Sequence, residues 1–233
     1  MPCTLPASLA DAAVCRGSFH AVLGGEAGEA VFADFSAALQ KAQAEGRILT
    51  ASLFRYENQL FFYAEGLNRP FTPQGLCPAL DAALLPWPPA LGETAPRPWA
   101  AMQPYFYHDV PTTAADWQQG RCPQRRRGRI ALLPPDKWCS YMEHHLRIVT
   151  EGLVEGDRWH LICVQEGVLF SYLEEPRTNV NIRHKPGAHS PELDAWIAAD
   201  PESHFARFTP EQKAHPDSGH NFVFLPRIAG TED

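Results

Sequence analysis

Leu60-Phe61-Phe62-Tyr63-Ala64-Glu65 and Leu169-Phe170-Ser171-Tyr172-Leu173-Glu174 are the two stretches whose comparison decides the fold. They lie 109 residues apart (169 less 60) and share four of six letters. Both are β-rich, largely apolar runs of strand length. Each follows a β-rich run and a tight turn: Ile48–Tyr56 with Glu57-Asn58, and Trp159–Val164 with Gln165-Glu166-Gly167. These are hairpin signals.

Working outward, the same order of elements recurs on both sides of each hairpin. Ala30–Glu45 carries apolar residues at 31, 32, 35, 38, 39 and 42, a helical spacing that Gly46 stops. Pro134-Pro135-Asp136 opens a second such helix over about 137–153. Strands precede them at Ser18–Leu23 and Arg129–Leu133. Downstream, Leu76–Leu85 and Pro191–Ala199, the latter running on toward Phe208, are helical in character. Last strands are expected at Trp99–His108 and Asn221–Ile228, with Pro226 marking an end or an edge. Two βαββαβ units in one chain follow from this order.

The expected fold class is therefore α+β. Two tandem ferredoxin-like units, at 17–112 and 129–230, would pair within the chain as a dimeric α/β-barrel-like pseudo-dimer. Residues 113–128 are expected to link them. That link holds Arg125-Arg126-Arg127-Gly128-Arg129, read as a solvated basic linker in preference to a phosphate-binding patch. Pro86–Pro98 reads as an irregular connection, being short and without a PxxP repeat.

Composition sets outer limits. The chain has 233 residues, 45% hydrophobic and 20% charged, which suits a packed core. No apolar run approaches the roughly 18 residues of a membrane span. Met1–Gly17 lacks a basic start and is interrupted by Asp11, unlike a secretory signal. Six cysteines form no CxxC pair and are expected to be reduced thiols of a cytoplasmic protein. A net charge of −7 offers nucleic acid no general attraction.

Eight of the ten histidines fall between 144 and 220. Tyr141 and His145, four apart on the expected helix, project from one face. The aligned residues of the first half are Phe32 and Ser36, as though one working site stood beside a degenerate one. Taken alone, such a pair is more often a satisfied helix-surface contact than a site. No HExxH, zinc-spaced Cys/His set, GxGxxG or P-loop occurs, so neither metal nor cofactor is expected.

The segment Arg129–Ile228 resembles the L-rhamnose mutarotase family. The resemblance rests on Tyr141-Met142-Glu143-His144-His145 against a helix-one Tyr-x-x-x-His. It also rests on Leu169–Glu174 against a third-strand Leu-Phe-Ala-Tyr-x-Glu, and on His215-Pro216-Asp217-Ser218 against a Pro-Asp step before the last strand. The likeness implies a ferredoxin-like fold, a sugar substrate, His145 as proton donor and Tyr141 on the sugar. Trp159 falls near the position of a strand-two tyrosine. His204 and Phe205 stand where the family has paired tryptophans, a departure that keeps flat rings but loses the indole donors. Phe205 and Trp159 would stack on the sugar. His204 is a second acid/base candidate or an exposed helix histidine.

The reading is thus an aldose mutarotase-like isomerase acting on L-rhamnose or a related sugar. It would be a monomer if the internal pairing replaces a homodimer. Two alternatives stand: a sugar- or metabolite-binding protein without turnover, and a haem-binding or oxygenase-type α/β barrel with His145 or His204 on iron.

Overall fold

The computed structural model describes residues 5–179, 182–212 and 221–231. In chain order its elements are β1 (Val14–Leu23), α1 (Glu29–Ala44), β2 (Ile48–Tyr56), β3 (Gln59–Leu67), α2 (Pro78–Ala82), β4 (Leu84–Leu85), β5 (Ala100–Ala101), β6 (Gln103–Tyr107) and α3 (Ala114–Gln118). There follow β7 (Arg125–Leu132), α4 (Trp138–Glu151), β8 (Val154–Glu155), β9 (Leu161–Gln165), β10 (Val168–Glu175), β11 (Arg183–His184), α5 (Pro191–Ala198), β12 (Val223–Leu225) and β13 (Arg227–Gly230). The protein is a mixed α+β chain whose described strands all pair antiparallel. No described helix is long and apolar enough to cross a membrane.

The chain divides into two compact units that are not contiguous in sequence. The first comprises residues 1–102, 111–123 and 226–233; the second comprises 103–110 and 124–225. Both hairpins form where the β-rich runs and their turn residues place them. β2 and β3 turn at Glu57-Asn58, and β9 and β10 turn at Glu166-Gly167, where both φ angles are positive (48° and 80°). Such a turn matches the twist of the strands it joins, and glycine enters it without strain.

In the first unit the sheet runs β13-β2-β3-β1-β4, with β5 also beside β1. Phe32, Phe35, Leu39 and Ala42 of α1 pack on the face that carries Ala21, Leu53, Leu60 and Phe62. The rings of Phe35, Phe62 and Trp99 lie 5.7–6.3 Å apart and close this core. Ser36 is half-buried and accepts a 3.3 Å hydrogen bond from the Gly230 amide. The place aligned with His145 is thus tied to a strand.

In the second unit the sheet runs β12-β7-β10-β9-β6. Tyr141, His145 and Ile148 of α4 face a core shared with Tyr105, Phe106, Leu133, Ile162, Leu169, Leu193 and Trp196. Gly152 ends α4 in the left-handed conformation, with φ of 69°. Ser190 caps α5 by accepting the Leu193 amide at 3.0 Å.

Two features depart from the expected boundaries. The expected strand 99–108 divides at Met102: Ala100–Ala101 pairs with β1, whereas Gln103–Tyr107 pairs with β9 in the second unit. The expected strand 221–228 divides at Pro226: Val223–Leu225 pairs with β7, and Arg227–Gly230 pairs with β2 in the first unit. A continuous run of strand-forming residues specifies extension. It does not specify which free edge the strand completes.

A further departure is the basic stretch, which is strand β7 rather than a linker. Arg126 sits opposite Glu174 in the register, and their charged ends are 3.6 Å apart. Arg127 reaches Glu175 at 3.0 Å and covers the Phe224 ring at 3.8 Å. Carboxylates and an aromatic face absorb the charge.

The repeated Tyr-x-Glu is an internal device on both strands. Tyr63 donates to Glu65, and Tyr172 donates to Glu174, each at 2.6 Å. Glu65 is held below the usual carboxylate range: burial opposes ionisation, but the bidentate Arg121 guanidinium, at 2.7 and 3.0 Å, outweighs it. The motif that carried part of the resemblance thus sets a buried carboxylate beside an arginine in each unit.

Candidate functional site

A cavity of about 350 Å³ opens in the second unit. α4 contributes Tyr141 and His145, β6 and its end contribute Phe106 and His108, and β7 contributes Arg129. The turn after β8 supplies Gly156, Asp157 and His160, α5 supplies Trp196, and the segment after it supplies Glu202 and Phe205. The volume lies at the lower end of the range for metabolite pockets and suits a small molecule.

His145 is the best-defined group. It is 4% exposed and ringed by Tyr141 (4.2 Å between centroids), Phe106 (4.7 Å), Trp196 (4.8 Å) and Tyr105 (5.7 Å). Its Nδ1 lies 2.8 Å from the Tyr141 carbonyl. A carbonyl only accepts, so Nδ1 carries the proton and donates it. Nε2, on the far edge of the ring from the helix, keeps a lone pair. Burial pushes the imidazole down to about 4, against the pull of that hydrogen bond; His144, His204 and His108 add to the fall. His145 is therefore neutral at neutral pH, with a fixed tautomer.

Tyr141 is pushed up to about 12, chiefly by burial, so its phenol stays a hydrogen-bond donor. His108 is brought down to about 4, again chiefly by burial, and is half-buried. It rests against Gly156, where an added Cβ would lie within the imidazole ring. Gly156→Ala is expected to push His108 out of the wall and to cost about 1–3 kcal/mol as overpacking. Thermal unfolding of the variant against the parent measures it.

The electrostatics of the wall are uneven. Arg177 is paired with Asp157, Nε to Oδ2 at 3.2 Å, and Asp157 also accepts from the Thr178 amide and hydroxyl. Glu202 accepts from the side-chain amide of Asn221. Arg129 has no such partner among the described residues: its Nε is buried without an acceptor, and its guanidinium lies over the Phe222 ring at 4.4 Å. Burial lowers it to about 10, which leaves it charged at neutral pH.

Of the expected site residues, Tyr141, His145 and Phe205 line this cavity. Phe205 packs against Tyr141 at 5.2 Å and Phe222 at 5.1 Å. His204 and Trp159 are not among the lining residues. His204 is buried behind Trp196: Nδ1 donates to the Asp200 carbonyl at 3.3 Å, so Nε2 accepts from the Ser140 hydroxyl at 3.2 Å. Both nitrogens are occupied, which suits a structural residue better than an acid/base. Trp159 is 6% exposed, beside the two lining residues Asp157 and His160. His215-Pro216-Asp217-Ser218 lies outside the described residues. An indole does reach the site, from Trp196 on α5 and not from the 204–205 positions.

The reading of the sequence passed over Arg129, Asp157, Arg177, His108 and Trp196. For Arg129 the signal was present: alternation through 125–132 sets Arg127 and Arg129 on one face and Arg126 on the other. No group of three or more His, Cys, Asp or Glu side chains among the described residues has the arrangement of a metal site.

No protein-family model matches the chain, and no curated protein matches it in sequence. Among solved structures it is similar to a "putative monooxygenase" from Lactobacillus acidophilus NCFM, at 7% identity and a TM-score of 0.40, over 94% of this chain and 96% of that one. It is also similar to a "putative monooxygenase" from Fusobacterium nucleatum subsp. nucleatum, at 8% identity and a TM-score of 0.40, over 94% of each chain. Likenesses this distant carry no statement about the reaction.

Proposed function

We propose that the second unit houses a proton-transfer isomerase of the mutarotase type, acting on a small aldose-like molecule with His145 as its base. The carrying observation is the state of His145: neutral, held in one tautomer by the Tyr141 carbonyl, and set in the wall of a small cavity. Opening a cyclic hemiacetal requires removal of the anomeric hydroxyl proton and protonation of the ring oxygen. Nε2 of His145 is placed for the first task. The un-ionised Tyr141 phenol is a donor for the ring oxygen, and Phe205 and Trp196 offer flat apolar faces to the sugar C–H bonds.

The tandem ferredoxin-like architecture belongs to the same proposal, with units corresponding to 17–112 and 129–230. Its support is the reciprocity of the split strands. Residues 100–101 pair with the first strand of their own half and 103–107 with the second half, while 223–225 and 227–230 do the converse. The first unit would then have lost its site, since Phe32 and Ser36 occupy the positions aligned with Tyr141 and His145.

NMR exchange spectroscopy on α/β anomer mixtures of L-rhamnose and other aldoses tests the reaction. The expected result is faster exchange in the presence of protein. Binding without faster exchange would leave the cavity as a receptor with no turnover.

A further inference from the structure

Arg129 is an arginine on a strand, in the wall of the cavity, without a carboxylate of its own. Its three neighbours on β7 show what the strand does with charge elsewhere: Arg126 meets Glu174, Arg127 meets Glu175, and Arg125 is exposed. Arg129 alone is turned toward the space that also holds His145. The register sets it directly opposite Ser171, a lining residue of β10. Phe222 lies 4.4 Å from the guanidinium carbon, a cation–π contact that steadies the group. A charged, desolvated group in a cavity wall is costly unless an ion of opposite sign completes it.

We propose that Arg129 receives a carboxylate of the substrate, so that the molecule handled at His145 is a sugar acid, such as a uronate, or a similarly small hydroxy acid. The substrate class rests on the proton-transfer reading above; the carboxylate site rests on Arg129 itself. A planar guanidinium fork matches a carboxylate in a bidentate pair. The other charges in the wall argue for a monoanion. Arg177 is spent on Asp157, and Glu202, held by Asn221, lies close enough to Arg129 to act on its ionisation. A phosphate dianion would meet those two carboxylates with Arg129 as the one uncommitted cation in the described wall. A carboxylate in the cavity would also support the imidazolium of His145 as it takes a proton.

Matched pairs test this on the unaltered protein: D-glucuronate against D-glucose, and D-galacturonate against D-galactose, with dissociation constants from calorimetry. The expected result is that each uronate binds about tenfold or more tightly than its neutral parent, as a charge-assisted bidentate contact requires. The preference should shrink at high salt. Arg129→Gln should abolish it, and Arg129→Lys should restore part of it. Equal or tighter binding of the neutral sugars overturns the inference, as does a preference that survives in a folded Arg129→Gln. Tighter binding of inorganic phosphate than of either uronate overturns the choice of carboxylate. Anomer exchange read in the same samples separates the two proposals. Faster exchange of neutral aldoses without a uronate preference sinks the Arg129 assignment alone, whereas a uronate preference without faster exchange supports it and sinks the isomerase reading alone.

Discussion

His145→Ala is expected to lower protein-accelerated anomer exchange by about 10²–10⁴-fold, the usual contribution of a positioned acid/base group. Little else in the fold should change. The imidazole makes one hydrogen bond, to a carbonyl of its own helix, and its remaining contacts are aromatic rings. Alanine at this place leaves the helix intact and the wall open, so binding of the sugar should fall far less than the rate. The pH profile of the parent separates base catalysis from simple crowding. With the imidazole at about 4, the lone pair is present throughout the neutral range. The rate should rise as pH climbs through the acid region and then level off. A bound anion would move that inflection upward, toward neutrality. An exchange rate unaltered in His145→Ala would remove this residue from the chemistry.

The second large effect is on stability in acid. In the unfolded chain a histidine titrates near 6.5, whereas the buried His145 resists protonation until about 4. Between these values the unfolded state binds the extra proton, so stability is complete above about pH 6.5 and is lost as pH falls toward 4. The difference amounts to about 3 kcal/mol for a site this buried, a large share of the roughly 5–15 kcal/mol that holds a domain together. His108 acts in the same direction, less strongly because it is half-exposed. Melting temperature should therefore drop by about 5–10 °C from this residue alone between pH 7 and pH 4.5. In His145→Gln the slope should be visibly flatter. Parallel slopes in the two proteins would mean that the buried imidazole does not govern the acid limb.

Much of the architecture was legible in the residues, for reasons that are local. β-rich runs and the turn residues between them marked both hairpins, helical spacing with a following glycine marked α1, and Pro134-Pro135-Asp136 marked the start of α4. What escaped is what no local pattern encodes. Residues 103–107 read as strand, but their partner is β9, and nothing in Gln103–Tyr107 names that edge. The arginines of β7 read as solvated because their neutralising carboxylates, Glu174 and Glu175, lie almost fifty residues downstream and meet them only through the register.

The site divides in the same way. Tyr141 and His145 share a helix, so i, i+4 spacing predicts that they meet, and Phe205 follows from the family likeness. Arg129, Asp157 and His108 come from three separated segments and converge only in the folded unit. His204 shows the limit of transferring a position: an aromatic ring is indeed present there, but its nitrogens are spent on Asp200 and Ser140. The Tyr-x-Glu pairs, which carried part of the resemblance, bond within their own strands and set buried carboxylates beside Arg121 and Arg126.

The most direct test is long-range ¹H–¹⁵N NMR of the His145 ring at pH 7. The predicted spectrum is that of a neutral imidazole protonated at Nδ1, with an unprotonated Nε2 whose signal moves when a uronate is added. A doubly protonated ring at pH 7, or a neutral ring protonated at Nε2, would contradict the claim that this histidine waits in the cavity as a base.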